Sequence, residues 1–290
     1  MRSESASSTP ALVATLAFVT FVALTCERDA RAESPFLLEP SFSLTISLGA
    51  VVGTLSVSTL EAEHAPWRTE ILGGVDSALH GEYRPVASSV SDVALGVLVL
   101  SPALLFLGQG FDDDSLRALL LYAETQAVAL FANNVTKRLV HRPRPYTYDA
   151  TPAASERMLE GDCDPWLSFY SGHASAAFAS AVAGSLLFAA RSSDPVLIPA
   201  IFGSTLTLAG ATATLRVKAG KHFPSDVVFG ALVGTALGAA IPLSQMESPE
   251  IGWTEVGAGV AGVALGAALA LLVPFPENVA VTPSGLSARF

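Results

Sequence analysis

The chain has 290 residues, of which 51% are hydrophobic and only 14% charged, where a soluble domain carries about 25% charged residues. That balance excludes a disordered chain and leaves too few charges to clothe a water-facing globule, so it points to a bundle of membrane helices. The net charge of −10 argues against general nucleic-acid affinity, and two cysteines, Cys26 and Cys163, are too few for a disulfide framework.

At the N-terminus, Arg2 precedes an apolar run from Ala11 to Leu24 and then Ala30-Arg31-Ala32. A short apolar region followed by an A-x-A site is the pattern of a secretory signal. Residues 1–32 read either as a signal peptide cleaved after Ala32 or as an uncleaved signal anchor. Both readings direct the chain to a membrane. Further apolar segments approach the ~20 residues a spanning helix needs, at about 42–60, 90–108, 116–137, 172–190, 196–216, 225–244 and 256–274. The expected fold is all-α, an integral membrane helical bundle with six core transmembrane helices and room for a seventh. Residues 42–244 form the main membrane domain. Residues 245–290 add an apolar helix and a tail, in which 277–290 have the alternation of a short strand.

The segment 116–137 carries Glu124, Gln126, Asn133 and Asn134. Polar groups at membrane depth normally face a bundle interior or a cavity, so this helix is expected to line something polar. Gly230, Gly234 and Gly238 recur every four residues, and Gly262 and Gly266 repeat the spacing. Such small-residue stripes let helix backbones pack closely in lipid. Asp112-Asp113-Asp114 and Asp162-Cys163-Asp164 read as solvated turns rather than metal sites, and Trp67, Trp166 and Trp253 as interfacial anchors.

The basic residues are concentrated. Lys137, Arg138, Arg142 and Arg144 fall within eight residues at the end of one apolar segment, and Arg216, Lys218 and Lys221 at the end of another. Charge alone favours a topological marker, since Lys and Arg mark cytoplasmic loops. The histidines add chemistry, because His141, His173 and His222 lie in or beside these clusters. His222 precedes Asp226 by four residues near a helix start, a spacing that lets the carboxylate fix one imidazole nitrogen and leave the other free to attack. Ser171-Gly172-His173 opens an apolar helix, where unpaired N–H groups and the dipole favour an anion. Arg138, His141 and Arg142 read equally as head-group contacts and as a solvated loop face.

The three stretches Lys137 to Pro145 (K-x6-R-P), Ser171 to His173 (S-G-H) and Arg216 to Asp226 (R-x5-H-x3-D) resemble, in order and spacing, the signature of the type 2 phosphatidic acid phosphatase and vanadium haloperoxidase superfamily. The resemblance covers roughly residues 90–244. It departs at Tyr170, where the family usually has Pro, and at Leu215, where it usually has Ser. It implies that His222 attacks phosphorus, that Asp226 orients it, and that His173 protonates the leaving alcohol and later activates water. It also implies that Lys137, Arg144, Ser171, Gly172 and Arg216 bind the phosphate, with no metal and no cofactor. The expected partners are the bilayer and a lipid phosphate. The expected place is a bacterial inner membrane with the site facing the periplasm, although a cleaved signal followed by three crossings would place Lys137 in the cytoplasm. The rival readings are a vanadate-dependent haloperoxidase, a soluble periplasmic acid phosphatase and a non-catalytic binder of anionic lipid. The sequence is silent on oligomeric state.

Overall fold

The structure is a computed structural model that describes residues 34–37, 39–59, 74–77, 82–108, 110–149, 151, 154–155, 164–247, 249–274, 279–282 and 285–288. The 1–32 signal or anchor, Trp67, Cys26 and Cys163 lie outside the described residues. The helices are α1 (Pro40–Ser58), α2 (Gly74–Ser77), α3 (Pro85–Gly108), α4 (Asp113–Val140), α5 (Gly172–Ala189), α6 (Leu197–Lys218), α7 (Pro224–Gln245) and α8 (Trp253–Leu272), followed by strands β1 (Val279–Thr282) and β2 (Gly285–Ala288). The strands pair antiparallel in a tail hairpin. Short 3-10 turns at Pro145–Tyr148 and Asp164–Trp166 shape the loop between α4 and α5. All of α1, α3, α5, α6, α7 and α8 are long and apolar enough to cross a membrane. The protein is thus an all-α integral membrane bundle with a small C-terminal hairpin.

The starts and stops follow local chemistry. The Asp112 side chain accepts the Ser115 N–H at 2.7 Å and caps α4, while Asp113 and Asp114 sit in its first turn, where carboxylates stabilise the helix dipole. Asp112 also pairs with Arg191, and Asp114 accepts from Ser34. The triplet therefore builds a helix start. At the other end His141 takes the left-handed conformation (φ 49°) and closes α4 onto the Lys137 carbonyl. Helix α3 begins at Pro85, earlier than the apolar run at 90, because its first two turns carry Ser88, Ser91 and Asp92, which accept from Arg216.

Helix ends gather at two levels. Arg138 of α4 donates to the Ser58 carbonyl at the end of α1, and Lys218 of α6 donates to the Ala270, Leu271 and Val273 carbonyls at the end of α8. Ser171 N–H at the start of α5 donates to the Asp226 carbonyl in the first turn of α7. At the opposite end Leu37 N–H donates to the Gln245 carbonyl, and Arg191 reaches the Phe106 carbonyl and Asp112. Among the described residues, the seven long helices therefore run alternately up and down, with the C-terminal end of α4 and the N-terminal ends of α3, α5 and α7 on one side. Helix α4 belongs to the bundle despite its polar groups. Its buried Glu124 accepts Gln245 Nε2 through both oxygens at 2.9 Å, Gln245 accepts from Ser43, and Asn133 donates to the Tyr170 carbonyl. Asn134 differs, bonding only back to Leu130 of its own helix.

The glycine stripes act as spacing predicts. A Cβ at Gly230, Gly234 or Gly238 would come under 3.0 Å of a carbonyl oxygen of Ser171, Ser175 or Ala179, which brings α7 directly against α5. Gly262 and Gly266 meet the Gly203 and Thr207 carbonyls and seat α8 on α6 in the same way.

Candidate active site

The three motifs converge where those helix ends meet. His222 lies in the turn between α6 and α7 and is 1% exposed. Its Nε2 stands 3.1 Å from Arg144 Nη1. A guanidinium only donates, so Nε2 carries the lone pair and Nδ1 the proton. Burial first, then Arg144, Lys137 and Arg216, holds the imidazole well below its ordinary value of 6.5, so the ring is neutral near pH 7. Nδ1 lies 3.6 Å from Asp226 Oδ2, longer than a hydrogen bond. The Asp226 carboxylate is already engaged. Oδ2 accepts Ser168 Oγ–H at 2.5 Å and the Phe223 N–H at 2.9 Å, and Oδ1 accepts Arg142 Nη1 at 2.5 Å. Asp226 thus faces His222 as a nearby charge rather than as a hydrogen-bonded partner.

Arg144 is fixed on four sides. Nε donates to the Asp164 carbonyl, Nη2 to Asp164 Oδ1 at 2.6 Å, and Nη1 to the Lys221 carbonyl as well as facing His222. Lys221 Nζ stands 3.6 Å from Asp164 Oδ2 and about 5 Å from the rings of Tyr83 and Tyr146. Arg216 Nη1 donates to Ser91 Oγ at 2.9 Å, Ser88 Oγ at 3.3 Å and Asp92 Oδ1 at 2.9 Å, and its buried Nε has no partner among the described residues. Asp92 Oδ1 also binds His173 Nε2 at 2.7 Å. Lys137 is half-buried and lies within electrostatic reach of Arg144, Asp164, Arg216 and Asp226. Ser171 caps α5 by accepting the Ala174 N–H at 3.3 Å, so its own hydroxyl proton is available. Gly172 lets α5 sit close to Asn133, because a Cβ there would lie 2.7 Å from Asn133 Oδ1 and displace that side chain.

Every motif residue therefore lies in one cluster at one end of the bundle. Two cations (Arg144, Arg216), a half-buried ammonium, a helix N-terminus and a neutral imidazole converge there, an arrangement suited to a tetrahedral anion and an attacking nitrogen. Residues 118–249 match the family model described as PAP2 superfamily. Over this span the chain is similar to the PAP2 superfamily. Comparison with curated proteins and with solved structures gives no significant match. PAP2 proteins are generally phosphatase-related, which gives the cluster its broad chemical setting.

Within the matched span the departures from the usual motif acquire a structural account. Leu215 is buried, and the hydroxyls at Arg216 come instead from Ser88 and Ser91 of α3. Tyr170 is buried too, with Phe169 edge-on to it and to Phe229. The even choice over Arg138, His141 and Arg142 separates: Arg138 binds the end of α1, His141 closes α4, and Arg142 is wholly buried among carboxylates. Sequence reasoning missed Asp92, Ser88, Ser91 and Ser168, and it read Asp164 as part of a solvated turn, whereas its carboxylate accepts from Arg144. Asp92 had a signal, being an acidic residue in the first turns of an apolar helix. The others lie in polar stretches, where nothing in the spacing marks them.

Proposed function

We propose that this protein is an integral membrane phosphatase that hydrolyses a phosphomonoester or pyrophosphate of a lipid-type substrate through a phosphohistidine on His222. The observation that carries the reading is the buried, neutral imidazole with its Nε2 lone pair directed at Arg144. Bound phosphate takes the place of the nitrogen at Arg144 Nη1 and is held by Arg216, Lys137, Ser171 Oγ–H and the Gly172 N–H. Nε2 attacks phosphorus in line, the P–O bond to the alcohol breaks, and His173, as the imidazolium, gives a ring proton to the leaving oxygen and becomes neutral. His173, held by Asp92, then takes a proton from water as that water attacks phosphorus, the N–P bond breaks and inorganic phosphate leaves. Catalysis of this kind rests on positioning and on stabilising spread negative charge. Here the cations supply what a metal often supplies, so the activity is metal-independent.

A lipid substrate is supported by the membrane setting and by a groove. A cavity of about 450 Å³ lies between α3 and α6, lined by Val97, Leu98, Leu104, Ile201 and Leu208 among others. Val97, the lining residue nearest the site on α3, follows Asp92 by five residues, about 7.5 Å along the helix axis. The test is phosphate release from long-chain lipid phosphates and from a soluble aryl phosphate, with EDTA present. Wild type is expected to favour the lipid substrates, and His222→Ala to lose turnover by about a thousandfold or more. Activity that survives the substitution, or that EDTA abolishes, overturns the reading.

A further inference from the structure

Among the described residues, three charged side chains lie buried beneath His222, and of these three only Asp226 belongs to the motifs. Arg142 donates from Nη1 to Asp226 Oδ1 at 2.5 Å and to Ser225 Oγ at 2.7 Å, and from Nη2 to Asp76 Oδ2 at 2.9 Å. Asp76, on the short helix α2, also accepts the Ser225 N–H at 3.1 Å and Ser225 Oγ–H at 2.5 Å. The side chains of Asp76, Arg142 and Asp226 are all 0% exposed. The Phe223 ring covers the Arg142 guanidinium at 4.2 Å. Burial disfavours the Asp76 anion, but hydrogen bonds from Ser225 and Arg142 outweigh it and hold the carboxyl below its usual range. Asp76 is therefore ionised. It also lies outside the matched family span of residues 118–249.

Desolvation offsets much of the attraction in a buried ion pair, so stability alone is a weak reason to keep one. The charge sum is more informative. Among the described residues, Asp76 and Asp226 are negative and Arg142 is positive, which gives one net negative charge under the imidazole. Around the ring stand Arg144, Lys221 and Asp164 from the loops, Lys137 from α4, His173 from α5, and Arg216 with Asp92 from α6 and α3. That surround is rich in cations. With Asp76 neutral, Arg142 would cancel Asp226, and the ring would face the cations with no net counter-charge beneath it.

We propose that Asp76 and Arg142 are positioning residues for the reaction: Arg142 fixes the Asp226 carboxylate, and Asp76 neutralises Arg142 so that Asp226 keeps its charge for the His222 Nδ1–H. This rests on the reading of His222 as the nucleophile. As the Nε2–P bond forms and the P–O pair leaves with the alcohol, the ring keeps its Nδ1 proton and becomes positive. The net negative charge beneath it stabilises that species and not the ground state, so it acts on kcat rather than on binding.

The experiment compares Asp76→Asn, Asp76→Glu and the double variant Asp76→Asn/Arg142→Gln with wild type. Its readouts are kcat, KM, the pH profile of kcat/KM and acid-labile phosphoenzyme trapped from labelled substrate. Asp76→Asn is expected to lower kcat about tenfold with KM unchanged, and to move the acid limb down by about one pH unit. Asp76→Glu keeps the charge and the limb. The double variant restores one net negative charge and brings the limb back, and it carries the test alone if Asp76→Asn does not fold. An unchanged kcat and limb in Asp76→Asn, a rise in KM at constant kcat, or a lowered limb in the double variant overturns the proposal. Failure of the His222 reading shows separately, as wild type that traps no phosphoenzyme or as turnover that survives His222→Ala.

Discussion

A guanidinium whose two Nη groups are both held by protein carboxylates has little left for a substrate, and on this point the arginines of the site divide. Arg142 is bound to Asp76 and Asp226 and has become part of the scaffold. Arg216 spends one Nη on Asp92 and two serines, and Arg144 shares its own with His222 and Asp164. These two can turn a donor to phosphate. The sequence showed four basic residues in a row of eight and could not sort them, because K-x6-R-P fixes spacing but not which way each side chain points. The same cations govern His222. They and burial depress its proton affinity, so the ring stays neutral as pH falls through 6.5 and loses its Nε2 lone pair only below that value. The acid limb of kcat/KM, measured between about pH 4 and 8 on a substrate whose own ionisation is titrated separately, is expected below 6.5. A limb at or above that value contradicts the neutral nucleophile.

At the scale of the element, the site depends on two helix starts being pinned together. Ser171 opens α5 and Asp226 lies in the first turn of α7, and the Ser171 N–H to Asp226 carbonyl bond at 2.9 Å joins them. Below that bond, Gly230, Gly234 and Gly238 hold α7 against α5 for three turns. A side chain at Gly234 meets the Ser175 backbone, which has no rotamer to give. Gly234→Leu is expected to destabilise the bundle by about 1–3 kcal/mol, read as a lower Tm in detergent, and to reduce activity by parting the helix starts. A variant with unchanged Tm and turnover would show that the stripe has slack. These stripes, the caps and most segment limits were legible in the sequence, because period and end chemistry are local. The start of α3 was not. Its first turns are polar toward the site, and a hydropathy run cannot register a helix that is amphipathic for seven residues and apolar thereafter.

At the scale of the molecule, the alternation of seven long helices puts the start of α1 at the end opposite the site. That end carries, among the described residues, Glu39, Asp112, Asp113, Asp114, Asp194, Glu247, Glu250 and Glu255 against Arg117 and Arg191. Helix α1 packs on α4 as a full member of the bundle, so the site and Ser34 face opposite sides of the membrane. A periplasmic site, which the family resemblance implies, requires Ser34 on the cytoplasmic side, whereas a leader cleaved at Ala32 gives the reverse. Ser193 is exposed in the loop after α5, at the end away from the site. With Cys26 and Cys163 replaced by Ser, Ser193→Cys is expected to react with an impermeant maleimide only after the membrane is opened. Labelling of intact cells would place the site in the cytoplasm.

The sequence by itself determined that this chain is a bundle of membrane helices, where most of them lie, and that three stretches match the order and spacing of a family signature. All of that is written in composition, period and spacing, which act over a few residues. Only the tertiary structure decided that Asp92 joins His173 to Arg216, that Ser88 and Ser91 stand in for the hydroxyl missing at Leu215, and that Asp76 reaches across 66 residues to Arg142. Such pairs form because buried charges must find partners wherever the fold brings them, and distance along the chain carries no trace of it.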